Sequence, residues 1–331
     1  MNRREIAREA VAHRETAKVP YHVLFLGPLR ERVLQRLGGT DINRAVGNYL
    51  NWSLPPAAVG RVALPNDEFM DEWGVRWKET HINRGYALEH PLKRPLLSDV
   101  KRPALRPAER VAGLREACER DGDLYLVAWC GEMFERAHFL RGMDNLMVDM
   151  VEEPQFVHGL LDVLLEFCLE MTDVLAPFPL DAIMISDDYG QQSGPLFSPR
   201  HFREFIKPRL KKLFARIRSH GQRAALHSCG DVTAFLPDLV EAGLEILHPV
   251  QAEAMDVHAV KREFGRDLCL FGGINTQRLL RHGTPGEIRD TVRRERDLLA
   301  RGGGYILAPN LDLTHDFPLE NALAFVETAR E

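Results

Sequence analysis

The stretch LDAIMISD, Leu180 to Asp187, places a short aliphatic run between two aspartates and leads directly into Asp188, Tyr189 and Gly190. A run this short that ends on chain breakers reads as a strand, and the unit recurs along the chain. The other copies are LYLVAW (124–129), RAALHSC (223–229), LEILHP (244–249), LCLFGG (268–273) and GYILAP (304–309). Between them lie segments of helical period. One runs from Arg200 to His220 and sets Phe202, Phe205, Ile206, Leu210, Leu213, Phe214 and Ile217 on one face. Strand and helix in strict alternation specify a parallel sheet with crossover helices.

Working outward, residues 121–331 hold the regular βα units, and residues 1–120 must supply the remaining strands together with insertions. A helix is expected from Arg4 to His13, a first strand near Tyr21 to Phe25, a second near Gly60 to Leu64, and a hairpin around Gly74 in DEWGVRWKE. This arithmetic gives an α/β fold, a (βα)8 TIM-type barrel with an elaborated N-terminal region, forming one domain over residues 1–331. A doubly wound open sheet is the alternative. Its usual nucleotide fingerprints, GxGxxG after an early strand or GxxxxGK[ST], do not occur.

The net charge is −5 and the charges are evenly mixed, so there is no basic footprint for nucleic acid, and the expected partner is a small molecule or another protein. The charged N-terminus lacks the apolar core of a secretory signal and no segment stays apolar long enough to span a membrane, which predicts a cytoplasmic protein. The five cysteines have no pairing rhythm and fit a reducing compartment.

In such a barrel the active site gathers at the C-terminal strand ends. The residues just past each run are Trp129, Cys130 and Glu132; Asp187, Asp188 and Tyr189; His227 and Cys229; Gln251; Asn275; and Asn310, Asp312 and His315. Two adjacent carboxylates on an extended strand cannot both face the axis. Asp188 is taken as the catalytic acid/base or substrate anchor, and Asp187, Tyr189, Gln251, Asn275 and Asn310 as substrate-binding walls. Structural roles compete with these: Asp231 and Thr233 suit a helix cap near Ala234, and His248 before Pro249 suits a turn.

LHSCGDV (226–232) spaces an imidazole and a thiol two residues apart. His227 and Cys229 could share one Zn2+, which takes N and S ligands at about 2.0 to 2.3 Å, if another strand end supplied a third ligand, for which Asp188, Gln251, Asp312 and His315 are the candidates. They could also form a nucleophile and base, or simply fill space before a glycine turn.

Four segments together resemble the uroporphyrinogen decarboxylase superfamily: FERAHFLRGMDNLMVDMVEEPQFVHGLLD, DAIMISDDYGQQSGPLFSPRHFREFIKPRLKKL, LHSCGDV and GGGYILAPNLDLTHDFPLENALAF. The resemblance implies a (βα)8 barrel. The Arg-rich loop by which true uroporphyrinogen decarboxylases hold their substrate is replaced by FLGPLRERVLQRL. HSCG is instead similar to the corrinoid-dependent methyltransferase branch, where HxC and a distant Cys bind zinc. The resemblance makes His227 and Cys229 catalytic zinc ligands. The distant Cys falls at Leu311, so the third metal ligand is sought in His315, with Asp312 and Gln251 as the other choices near it. The expected activity is methyl transfer between a small substrate and a corrinoid carried by a separate partner protein. A cofactor-free decarboxylase and a non-catalytic ligand-binding barrel are the alternatives.

Overall fold

The computed structural model describes residues 1–54, 59–80 and 85–331. Its centre is a parallel sheet of seven strands: β1 (Leu50–Leu54), β2 (Tyr125–Gly131), β3 (Ala182–Ser186), β4 (Arg223–His227), β5 (Ile246–Val250), β6 (Cys269–Ile274) and β7 (Tyr305–Pro309), each paired with the next in that order. The eighth position is filled by the extended segment 20–25. Parallel bridges join Tyr21 to Leu307 and Phe25 to Leu313, and the Tyr49 N–H donates to the Tyr21 carbonyl, so this segment links β7 back to β1 and closes the barrel. Closure removes the two sheet edges that an open sheet would leave exposed.

The expected first strand is therefore in place, but the second is not where the sequence suggested. Val62–Leu64 belongs to a separate antiparallel sheet, in the order Val62–Leu64, Glu68–Met70, Arg76–Lys78, Tyr86–Glu89, and the barrel strand is Leu50–Leu54. The sequence LNWSL conceals it, because Asn51 and Ser53 interrupt the aliphatic run that marks the other strands. Asn51 points out of the barrel and donates to Asp121 at 2.9 Å. The hairpin around Gly74 is present, with Glu68–Met70 paired to Arg76–Lys78 and Gly74 at φ +82°.

Helices cover the outside, among them Pro154–Leu175, Lys207–Ser219, Pro285–Leu299 and Leu319–Ala329. The segment read as one helix from Arg200 to His220 holds its apolar face buried through a π turn at Phe202–Ile206. The N-terminal helix Arg3–Val11 lies at the opposite end of the barrel from the mouth. There Asp181 accepts from Arg4 at 2.9 Å, from Arg8 at 2.6 Å and from the Leu126 N–H at 2.8 Å. No helix among the described residues is long and apolar enough to cross a membrane.

Alternation along the strands decides which residues face the axis. Cys130 lies against Cys168 of the outer helix, so Trp129 points inward. Trp52 meets His248 and Phe271, with ring centroids 4.9 and 4.6 Å away, and His22 meets Phe271 at 6.0 Å. The upper interior is thus built of imidazoles and indoles rather than the usual branched aliphatics, and it forms the floor of the mouth.

Candidate active site

His227 is the last residue of β4, and its partner in register on β5 is His248. Both side chains are inward. Their Nδ1 atoms lie 2.9 Å apart, which turns His227 Nε2 toward Cys229 Sγ at 3.4 Å and Asp188 Oδ1 at 3.8 Å. Asp188 follows β3, and its carboxylate accepts the Cys229 N–H at 2.7 Å. Ligand atoms of Asp188, His227 and Cys229 all lie within 4.8 Å of one another, and among the described residues they are the one such group of three.

Two glycines make this approach possible. Gly190, after Asp188, and Gly230, after Cys229, lie against each other. A Cβ on Gly230 would stand 2.3 Å from the Gly190 carbonyl carbon, and one on Gly190 would stand 2.7 Å from Asp231 N. Gly230 also sits at φ +81°. The seam is stitched by Asp231 N–H to Gln191 O at 2.8 Å and Tyr189 N–H to Ser228 Oγ at 2.9 Å.

The group is surrounded by protein yet open to water through the mouth. Burial, partly offset by the Asp188 carboxylate, lowers the pKa of His227. Burial also lowers His248 far below its ordinary value, and takes His22 to about 4. The interior imidazoles are therefore neutral and can act as ligands or hydrogen-bond partners. Burial and the Asp188 charge push the Cys229 thiol well up, so it keeps its proton unless a cation replaces it. Asp312 also lines the concavity, where desolvation pushes its pKa up to about 6.

The donor set suits a zinc ion. Bonds of about 2.0 to 2.3 Å at the tetrahedral angle put neighbouring ligand atoms roughly 3.3 to 3.7 Å apart. Of the observed separations, 3.4 Å falls within that range and 3.8 Å just above it, and the third pair lies within 4.8 Å, so a small side-chain adjustment would bring all three to bonding distance. One imidazole nitrogen, one sulfur and one oxygen leave the fourth position open to the mouth.

The other sequence-predicted residues divide clearly. Asp187 is fully buried and spent on structure: it accepts the N–H groups of Met133, Phe134 and Glu135 and the Tyr189 hydroxyl, capping the helix Phe134–Arg141. Tyr189 is buried with it, so neither faces the mouth, because the strand pleat that aims Asp188 inward aims Asp187 out. Gln251 is buried and accepts the Gly230 N–H at 2.8 Å. Asn275 caps the following turn by accepting from Arg278 and Leu279 N–H groups. Asn310 is buried, accepts the Gly273 N–H at 3.0 Å and donates to Glu253 at 2.5 Å. His315 does not join the metal group. Leu313 is pinned beside Phe25, and the chain past it turns outward, leaving His315 exposed beside Asp316. Of the candidate third ligands, Asp188 is the one whose carboxylate lies beside His227 and Cys229. Glu132 pairs with Arg136 at 3.1 Å, and Cys130 is buried against Cys168. Asp231 caps as expected, accepting the Thr233 N–H at 2.9 Å.

His248 was read as part of a turn, and its role at the site was missed. The signal was available: ALH and ILH end adjacent strands in the same phase, so both histidines had to face inward. Ser228 and Glu253 had no comparable signal, since their hydrogen bonds join loops far apart in sequence.

Comparison with known proteins agrees with this architecture. The family model described as uroporphyrinogen decarboxylase (URO-D) matches residues 98–331. A methylcobamide:CoM methyltransferase of Methanosarcina barkeri is 32% identical over 192 residues, covering 58% of this chain and 54% of that protein. A methylated-thiol–coenzyme M methyltransferase of Methanosarcina mazei is 23% identical over 211 residues, 64% of this chain and 54% of that protein. A uroporphyrinogen decarboxylase of Pseudoalteromonas translucida is 24% identical over 269 residues, 75% and 71% of the two chains. The chain thus spans about half the length of the curated methyltransferases it matches. A solved methyltransferase from Methanosarcina mazei superposes with a TM-score of 0.74 at 19% identity over 100% of this chain and 98% of that one, the same barrel fold.

Proposed function

The chain belongs to the uroporphyrinogen decarboxylase family, and on that premise we propose that it is a methyltransferase, moving a methyl group between a small substrate and a corrinoid carried by a separate protein. The observation that carries this reading is the Asp188, His227 and Cys229 triangle, whose spacing and donor chemistry fit zinc with one open position facing the mouth. Bound there, zinc supplies a Lewis acid that lowers the pKa of an acceptor thiol or polarises a methoxy oxygen.

The chain's own residues do the rest. Cys229 would give up its proton on becoming a ligand, and the Asp188 carboxylate accepts the Cys229 N–H, which holds the two donor-bearing loops together. Trp52 and Phe271, packed on each other and on the His248 ring, form an apolar floor beneath the donors. Asp312, exposed at the rim, adds its negative charge to that of Asp188 at Cys229.

A decarboxylase reading draws support from the long alignment to a uroporphyrinogen decarboxylase. Against it, the charged groups that act on Cys229 are acids, Asp188, Glu135 and Asp312, and these repel a polycarboxylate. Metal analysis of the purified chain after zinc loading and desalting tests the proposal. About one zinc per chain is expected, lost in Cys229→Ser and Asp188→Asn. Wild type without zinc, or CO2 release from a carboxylated substrate, would overturn it.

A further inference from the structure

We propose that His248 is a positioning residue that fixes the tautomer of His227, keeping the proton on Nδ1 and leaving Nε2, which faces Cys229 and Asp188, as a lone pair. The inference deepens the zinc reading and rests on it for its consequence, though not for its geometry.

Two Nδ1 atoms 2.9 Å apart can form a hydrogen bond only if one carries a proton and the other does not. Two arrangements satisfy this. In the first, His227 Nδ1–H donates to His248 Nδ1, and His227 Nε2 is left as a lone pair. In the second, His248 donates, and His227 carries its proton on Nε2. Asp188 Oδ1, at 3.8 Å, is too distant to accept an Nε2–H, while Cys229 Sγ at 3.4 Å can either donate its S–H to a bare Nε2 or, with that S–H turned to Asp188, accept from a protonated one. Only the bare Nε2 can receive a cation, and that is the arrangement proposed. The first arrangement therefore makes a continuous chain, Cys229 S–H to His227 Nε2 and His227 Nδ1–H to His248 Nδ1.

In this chain a cation entering the triangle replaces one proton, that of the Cys229 thiol, and finds His227 already presenting a lone pair. His248 is held for the task. Its ring is wedged between Trp52 and Phe271, with centroids 4.9 and 4.5 Å away, and its strand is registered to His227 itself. Imidazole ligands of metals characteristically donate their second N–H to an oriented acceptor, most often a carboxylate or carbonyl. Here the acceptor is a second imidazole from the neighbouring strand.

The test uses the full chain and two variants. His248→Phe keeps a planar ring between Trp52 and Phe271 but removes the acceptor, and His248→Asn restores one. Zinc affinity, read by competition with a chromogenic chelator, should fall about 10- to 100-fold in His248→Phe. It should recover in His248→Asn. Independently, 15N-histidine spectra of the metal-free wild type should show the His227 resonances, identified by their loss in His227→Gln, protonated at Nδ1. Unchanged affinity in a folded His248→Phe, or an Nε2-protonated His227, overturns the inference. If His248→Phe fails to fold, the wild-type spectrum and His248→Asn decide. If wild type binds no zinc the metal reading fails, while the spectrum still judges the hydrogen bond.

Discussion

At the scale of single residues, the chain shows how one strand end separates two identical side chains. Asp187 and Asp188 are adjacent carboxylates, yet the pleat sends one into a helix cap and the other to the mouth. Burial is the largest influence on Asp187 and pushes its pKa up to about 7, while the N–H groups of Glu135 and Phe134 and the Tyr189 hydroxyl pull it down. Its unfolded value is about 3.9. A carboxyl whose folded pKa is raised contributes most below the unfolded value and loses that contribution as pH rises through about 7. Asp187→Asn presents an amide N–H to donors, and should cost about 1 to 3 kcal/mol. Urea unfolding at several pH values should show the gap between wild type and Asp187→Asn narrowing from pH ~4 to ~8. A gap that widens would mean that the donors outweigh burial. The sequence showed that only one aspartate could face the axis. Spacing also suggested that His227 and Cys229 lie side by side, as they do, but His315 lies apart from them because nothing local tells where a loop turns after its last strand contact.

At the scale of elements, the two loops that carry the donors are joined backbone to backbone. Gly190 and Gly230 leave no room for a methyl group between them. Gly230→Ala adds both a clash and a left-handed penalty, together about 2 to 5 kcal/mol. Melting temperature and zinc content should fall together in that variant, because separating the loops draws Asp188 from Cys229. Full zinc binding in a folded Gly230→Ala would show that the seam does not set the donor spacing. The regular strands were legible because each is buried on both faces and so reads as an aliphatic run. Leu50–Leu54 was not, since Asn51 is satisfied by Asp121 from a distant loop and breaks the pattern. The antiparallel sheet was glimpsed only at its Gly74 hairpin.

For the whole molecule, barrel closure depends on the N-terminal segment. Residues 20–25 bridge β7 and β1, and the helix before them is clasped to β2 and β3 through Asp181. Asp181→Ala takes the acceptor from the Arg4 Nε–H and the Leu126 N–H, while Arg4 keeps the Gly122 and Pro179 carbonyls. A buried pair broken on one side costs about 3 to 5 kcal/mol. Here Arg8 is 54% exposed and Arg4 15%, so screening by water brings the expected loss to about 2 kcal/mol. Denaturant unfolding measures it, with zinc content unchanged in the folded variant because the clasp lies at the far end of the barrel. The overall architecture was the most legible level, since counting alternations needs no tertiary information, whereas a hydrogen bond between imidazoles on two strands does.

The donors Asp188, His227 and Cys229 hang from β3 and β4 alone, which are neighbours in the sheet. The three donors of the proposed metal site are thereby gathered at one corner of the rim, with His248 on the next strand behind them. Loops on the far side can therefore be remodelled without moving any of the three donors.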